Sequence, residues 1–200
     1  MLGKYKTREE YLVASDTLLN RDVFNKAGIT SIPANVVYSC SFATTGNRIG
    51  AKHITLGQCF DPACSSDKVN FQIVITPLLD DILKVLATQV HEKIHKIVGL
   101  ACGHKGAFPK MCKQVGLKGK PSETYAGPEL TATLQEIANE LGPYPHSALD
   151  TTGRQKQSTR NLLCECSTCG MKVRASKTAL ANGAPHCSDL SHGRMEVANQ

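Results

Sequence analysis

The residues His91, Glu92 and His95 form an HExxH motif. On an α-helix, histidines four residues apart lie on one face, so both imidazoles can bind a single Zn²⁺ ion. The glutamate after the first histidine then lies beside the metal, where it can act as a general base. A zinc-activated water can hydrolyse an amide if Glu92 takes the water's proton and passes it to the leaving amine. The motif therefore predicts a zinc-dependent endopeptidase.

A catalytic zinc usually takes three protein ligands and keeps a fourth position for water. His104 is our preferred third ligand, because it lies nine residues after His95, beyond a turn rich in glycine. Glu123 is the main alternative and Cys102 a weaker one. The metzincin pattern is excluded, since this chain lacks the Gly and His that follow that motif.

A donor for the developing oxyanion would complete such a site. Tyr144 and His146, in the segment GPYPH, are the candidates. We predict Tyr144 for this role, with packing of the ring between its neighbouring prolines as the alternative.

The C-terminal region contains a second set of metal-ligand residues. Cys166 and Cys169 form a CxxC knuckle, and Cys187 and His192 follow 18 and 23 residues after Cys169. Four such ligands can close a tetrahedral structural zinc site. Two further residues lie close enough in the sequence to replace His192: His186 and Cys164. Cys40, Cys59 and Cys64 have no matching knuckle and are interpreted as ordinary thiols.

The HExxH motif lies on a predicted helix that opens with Thr76 as N-cap and Pro77 at the first helical position. Its apolar residues recur at spacings of three and four, which is typical of one buried face. They are Leu79, Leu83, Leu86, Val90, Ile94 and Ile97. His91 and His95 border this face rather than lie within it, and the helix is expected to end near Gly99.

Other elements are predicted around this helix. Thr7 and Glu10 form a capping box that opens a first helix, which should stop at Gly28. A small sheet is expected from the apolar runs 36–38, 54–56 and 71–75, and further helices from 107–115 and 128–141. Two ribbon strands are expected at 171–175 and 194–197. We predict an α+β domain over 1–150, a polar linker over 151–161 and a zinc ribbon over 162–200.

Composition sets the broad class. The chain has 200 residues, of which 41% are hydrophobic and 20% charged, as in ordinary globular proteins. No apolar run is long enough for a membrane span or a signal peptide, which favours a cytoplasmic protein with reduced cysteines. The net charge is +6, and residues 151–200 hold seven of the basic residues against three acidic ones. This basic bias is compatible with nucleic acid or an acidic partner.

The segments HEKIH, GLACGHKGAF, SETYAGPEL and LGPYPHSAL, followed by a ribbon-like tail, resemble the SprT-like zinc metallopeptidases, especially the short phage and bacterial type. The resemblance implies a compact zincin-like domain with a C-terminal zinc ribbon. It implies His91, His95 and His104 as ligands and Glu92 as general base. It also implies substrates that are bound or crosslinked to DNA.

Two alternatives to an endopeptidase remain at this stage. One is a nucleic-acid- or protein-binding module whose HExxH site is structural or inactive, and the other is a two-zinc structural protein of a phage particle. The basic residues that would contact DNA are Arg154, Lys156, Arg160, Lys172, Arg174 and Lys177. No aromatic residue lies between 151 and 200, so contacts would be made mainly to phosphates.

Overall fold

The computed structural model describes residues 3–44, 54–150 and 161–197. The chain divides into two units at the boundary between Thr151 and Thr152. In the described ranges, no helix combines the length and the apolar character that crossing a membrane requires. Apart from Asn161, the predicted linker lies outside the described residues, and so do Arg154, Lys156 and Arg160.

The first unit is a mixed assembly of helices and small sheets. Its elements are α1 (Arg8–Leu19), β1 (Val36–Cys40), β2 (Gly57–Phe60), β3 (Phe71–Ile75), α2 (Ile82–Val98), α3 (Ala107–Gln114), β4 (Leu117–Lys120), β5 (Glu123–Ala126) and α4 (Pro128–Leu141). The predicted helices at 107–115 and 128–141 are therefore confirmed. A π-helical turn, Asn20–Phe24, continues α1.

The predicted capping box at the start of α1 is confirmed. The Thr7 hydroxyl accepts a hydrogen bond from the Glu10 N–H at 3.1 Å, and the Glu10 carboxylate accepts one from the Thr7 N–H at 3.3 Å. The helical segment ends before Gly28, and the positive φ of 78° at this position suits glycine.

The larger sheet has the strand order β1-β3-β2, with β1 parallel and β2 antiparallel to β3. The predicted strand at 54–56 is wrong, because the paired strand is Gly57–Phe60. The Leu56 carbonyl still accepts a hydrogen bond from the Thr76 N–H, but this contact lies just outside the ladder. Ile54 and Leu56 remain about half exposed and lead into the strand.

The predicted start of α2 is also wrong. The helix begins at Ile82, and its N-cap is Asp81, whose carboxylate accepts from the Leu83 and Lys84 N–H groups. The Pro77 carbonyl is instead used in tertiary contacts, since it accepts a hydrogen bond from the Leu149 N–H. The end at Gly99, with φ of 85°, agrees with the prediction.

The core forms on both sides of α2. Leu86, Val90 and Ile94 are fully buried in a cluster with side chains of α1, α3 and α4. Val85 packs instead against the sheet, with Tyr38 and Ile73. The predicted apolar face is thus buried at its centre, although Leu79 lies before the helix and other faces of α2 are buried as well.

A buried polar contact fixes the rotation of α2 about its axis. Lys93 is fully buried, and its ammonium group forms an ion pair with Asp16 of α1. The Tyr38 hydroxyl of β1 donates a hydrogen bond to the same carboxylate. Because Lys93 is two residues from both His91 and His95, this contact holds the opposite side of the helix and turns the histidines outward.

The second unit has the elements β6 (Leu162–Glu165), β7 (Lys172–Ala175), α5 (Lys177–Leu180) and β8 (Glu196–Val197). Its strands form an antiparallel sheet with the order β7-β6-β8. The two ribbon strands predicted from the sequence correspond to β7 and β8, whereas the central strand β6 was not predicted.

Candidate active site and second metal centre

The imidazoles of His91, His95 and His104 meet at one point on the surface of the first unit. The Nε2 atom of His104 lies 3.3 Å from Nε2 of His91 and 3.2 Å from Nε2 of His95. The two helical histidines project from the same face of α2, and the chain returns through a 3-10 turn at Leu100–Cys102 to bring His104 to them. The structure thus brings together three nitrogen donors that could hold one metal ion.

These separations fit a tetrahedral ion. Two nitrogens bound to zinc at about 2.0–2.1 Å with a tetrahedral angle between them are about 3.3 Å apart. Three neutral imidazoles are also a donor set that zinc accepts readily. The residues present therefore fit the metal that the motif implies.

Each imidazole is held in its neutral form, which leaves a lone pair for a metal. Burial, with a further contribution from the neighbouring imidazoles, lowers the pKa of His91 to about 3 and that of His95 to about 4. Burial also lowers the pKa of His104. In the metal-free protein, protons therefore compete for the nitrogens of His91 and His95 only in strongly acidic solution.

Two residues that sequence reasoning missed orient the histidines. Thr124 of β5 places its hydroxyl oxygen 2.7 Å from Nδ1 of His91, so Nε2 is left for the metal. The ring of Phe108 stacks on His95 at a centroid distance of 4.2 Å and meets the other two imidazoles edge-on. Both contacts join residues that are distant in the sequence. The position of Phe108 on the buried face of the amphipathic helix α3 could have indicated a packing role for that residue, whereas nothing of the kind indicated Thr124.

Replacing Thr124 by valine keeps the side-chain shape but removes the hydrogen bond to His91. We expect zinc affinity to fall by about 10- to 100-fold, which is the usual cost of losing such an outer partner. Competition with a zinc-selective chelator measures it. Thr88→Val is the matched control, because Thr88 lines the same cavity but its hydroxyl donates to the Lys84 carbonyl, within its own helix, and not to a histidine. Equal zinc affinities of the Thr124→Val and Thr88→Val variants would contradict the role of Thr124 in orienting His91.

Glu92 lies beneath the histidines in a tight enclosure. Its side chain is only 5% exposed and its carboxylate accepts a hydrogen bond from the Cys59 N–H of β2. A Cβ on Gly57 would lie 2.8 Å from both Cγ and Oε1 of Glu92 and 2.7 Å from Thr88. Glycine at position 57 is therefore what allows β2 to approach the carboxylate so closely. Burial raises the pKa of Glu92 to about 8.

This raised pKa predicts the pH dependence of stability in the metal-free protein. The folded state keeps the proton on Glu92 between pH 4.5 and 8, whereas the unfolded chain releases it. Stability contributed by Glu92 is therefore complete below pH 4.5 and declines as the pH rises towards 8. Glu92→Gln lacks this titration, so the variant should gain as much as about 5 kcal/mol over wild type across that range. Urea unfolding after EDTA treatment measures the difference in unfolding free energy between the variant and wild type. A difference that does not change with pH would refute the prediction.

The histidines and Glu92 line one cavity of about 750 Å³. Its walls come from residues 54–59, from α2 and from the β4–β5 hairpin. Glu123, the main rival for third ligand, lies in this wall but not in the histidine group. Cys102 is also outside that group, since its thiol donates to the Gly99 carbonyl at 3.2 Å.

Tyr144 and His146 do not line this cavity, so the predicted oxyanion role is corrected. The Tyr144 ring packs edge-on against Tyr11 at 5.1 Å and belongs to the hydrophobic core. His146 lies within 2.9 Å of the Pro77 carbonyl. The two prolines flanking Tyr144 direct the segment back across the start of α2, which takes both side chains away from the metal ligands.

The second unit brings together Cys166, Cys169, Cys187 and His192 as a group that could hold a metal ion. The Cys169 and Cys187 sulfurs are 3.5 Å apart, and Cys187 Sγ is 3.6 Å from Nδ1 of His192. A tetrahedral zinc site gives about 3.8 Å and 3.6 Å for such pairs. The Cys169 N–H donates to Cys166 and lowers the pKa of that thiol to about 6, which favours the thiolate.

Asp189 is not in this group, but its carboxylate lies 3.5 Å from Nε2 of His192, the ring nitrogen that does not face Cys187. The two alternative ligands are not part of this metal-binding group. Cys164 is buried in the small core, and His186 forms a backbone bridge with Arg194. Within the described ranges, Cys40, Cys59 and Cys64 join no metal-binding group.

Comparison with protein-family models, with curated proteins and with solved structures finds no match for this chain. The interpretation of its function therefore depends on the site itself.

Proposed function

We propose that this protein is a zinc-dependent endopeptidase with His91, His95 and His104 as zinc ligands and Glu92 as general base. The observation that carries the proposal is the approach of His104 Nε2 to Nε2 of His91 and of His95, at 3.3 and 3.2 Å, in a cavity that Glu92 also lines. Neutral histidines, a buried carboxylate and an open cleft are the parts that hydrolysis of an amide requires. The resemblance to SprT-like zincins supports the same activity.

Zinc, when bound, supplies a Lewis acid that acidifies water and polarises a carbonyl group. The protein's own residues determine the rest. The carboxylate of Glu92, whose pKa a bound cation would lower, takes a proton from the attacking water and delivers it to the leaving nitrogen. The Cys59 N–H holds this carboxylate in place, and the walls formed by β2 and Thr88 exclude bulk water from it. Thr124 and Phe108 keep His91 and His95 in their binding orientation.

Strand β2 offers a place for the substrate's main chain. Among the described residues it pairs with β3 alone, so its other edge has no strand partner beside the cavity, where the Cys59 N–H is bonded to Glu92. An extended peptide can add to such an edge through main-chain hydrogen bonds. The exposed side chains of Ile54 and Leu56 line the cavity at the same place and suit apolar residues of the substrate.

For the second centre we propose a structural zinc held by Cys166, Cys169, Cys187 and His192. A set of four protein ligands leaves no position for water, which is typical of structural sites. Thiolate ligands require a reducing compartment, so we place the protein in the cytoplasm. Lys172, Arg174 and Lys177 could add affinity for DNA, which supports DNA-associated proteins as substrates.

A direct test compares wild type with His104→Ala for zinc content and casein cleavage. We expect wild type to bind two zinc ions and to lose cleavage with EDTA, and His104→Ala to bind one and to be inactive. His146→Ala is the matched control, because His146 lies outside the cavity, and it should keep both properties. Cleavage that persists in His104→Ala or in EDTA would overturn the proposal.

A further inference from the structure

One stretch of the first unit carries positive charge without any acidic residue. Residues 93–122 contain seven lysines, no arginine and no aspartate or glutamate. Lys93 and Lys96 are buried, whereas the other five are exposed. These five form what we term the lysine face: Lys105, Lys110, Lys113, Lys118 and Lys120. None of the five forms an ion pair with another residue in the part of the chain that the structure describes.

The lysine face begins inside the substrate path. Lys105 follows the ligand His104 directly and lines a second cavity of about 620 Å³, between the 100–105 turn and the β4–β5 turn. This cavity shares Leu100, His104 and Ser122 with the cavity that contains Glu92. The two cavities are therefore parts of one groove, which runs from β2 across the three histidines to Lys105.

The remaining lysines lie on the two elements that follow the groove in the chain, α3 and β4. Lys110 and Lys113 lie one turn apart on α3, and Lys113 and Lys118 border a common cavity of about 400 Å³. Three carboxylates lie nearby: Glu123 is opposite Lys120 in the hairpin, and Asp22 and Glu129 border the same cavity as Lys113. Lys105 and Lys110 have no such neighbour on their own elements, so they carry the least compensated charge.

We propose, on the basis of the proposed endopeptidase activity, that the lysine face binds an acidic segment of the protein substrate. The enzyme would then cleave peptide bonds that have aspartate and glutamate residues clustered on one side. The position of Lys105 in the groove favours the substrate chain itself as the partner, because a chain that runs from the histidines through the second cavity passes this lysine. Each lysine carries its charge at the end of a flexible side chain. Several such lysines suit an extended run of carboxylates better than a single carboxylate.

Cleavage of a peptide library tests the inference. A tryptic digest of a bacterial lysate is treated with zinc-loaded protein, and the cleaved bonds are identified by mass spectrometry. We expect Asp and Glu to be enriched on one side of the bond only, by roughly two- to fivefold for each lysine engaged. Lys105→Glu with Lys110→Glu should abolish the enrichment, whereas Lys6→Glu, on an exposed lysine outside the face, should keep it. Cleavage without acidic enrichment would overturn the inference and leave the proposed function intact.

A binding experiment separates the two proposals. Zinc-loaded Glu92→Gln protein is titrated with a fluorescent oligoglutamate peptide, its oligoglutamine isostere and a single-stranded oligonucleotide. We expect oligoglutamate to bind at least fivefold more tightly than oligoglutamine, and the difference to shrink as salt is raised. Such binding without any cleavage by wild type would support the acidic partner and count against the peptidase. Preference for the oligonucleotide over oligoglutamate would overturn the inference in favour of nucleic acid.

Discussion

Glu92→Gln should abolish peptide cleavage while leaving zinc in place. The amide has nearly the same shape as the carboxylate, but it cannot accept a proton, so we expect casein cleavage to fall by about 10²- to 10⁴-fold. The three histidines do not depend on Glu92 for their positions, since Thr124 and Phe108 hold them. Zinc content should therefore stay at the wild-type value.

The matched control is Glu123→Gln. Glu123 lines the same cavity as Glu92 but is exposed and lies outside the histidine group, so its variant should keep wild-type zinc content and most of its activity. The comparison also tests the two alternatives to an endopeptidase, a binding module and a structural protein of a phage particle. A binding module with a structural site should tolerate Glu92→Gln without loss of function. If Glu123→Gln loses zinc and Glu92→Gln remains active, the assignment of both residues is wrong.

The second large effect is expected in the C-terminal unit. Its buried apolar cluster consists of Cys164, Cys166, Cys187 and Met195, and two of these four, Cys166 and Cys187, belong to the proposed ligand set. Without an ion, so small a core cannot offset the entropy of ordering the chain. Zinc contributes about 10–16 kcal/mol to folding in zinc-finger peptides, so Cys169→Ala should unfold this unit. Amide hydrogen exchange over 162–197 measures the loss of protection.

His192→Ala and His186→Ala form a matched pair for the same experiment. His192 directs Nδ1 at the Cys187 sulfur, whereas the structure uses His186 for a backbone bridge. We expect loss of zinc and of protection in His192→Ala only. The first unit should retain its own zinc and its casein cleavage in both variants. Full protection in metal-free protein would show that the second unit folds without a metal.

Local patterns in the sequence predicted the parts that depend on local geometry. The HExxH spacing places His91 and His95 on one face of α2 because every residue turns the helix by the same angle. The capping box at Thr7 and the bounds of α4 follow from contacts within a few residues. The convergence of His104 with the other ligands required only a short turn after Gly99.

Features that depend on distant contacts were missed. The second strand was placed on the apolar run 54–56, yet β2 is Gly57–Phe60, because pairing with β3 and close approach to Glu92 decide its position. Thr76 and Pro77 look like a helix start, but Asp81 caps α2, since the Pro77 carbonyl bonds to Leu149. Thr124 lies 33 residues from His91, and nothing near it in the sequence indicates this partner.

The three histidines of the first unit lie within a single stretch from His91 to His104. Assembling them requires one helical face and closure of the short loop between His95 and His104, and the entropic cost of closing a loop rises with its length. No strand contributes a nitrogen. We therefore expect this stretch to capture its ion early during folding, before the β4–β5 hairpin arrives to fix His91. The second group needs closure from Cys166 to His192, so its ion should bind later.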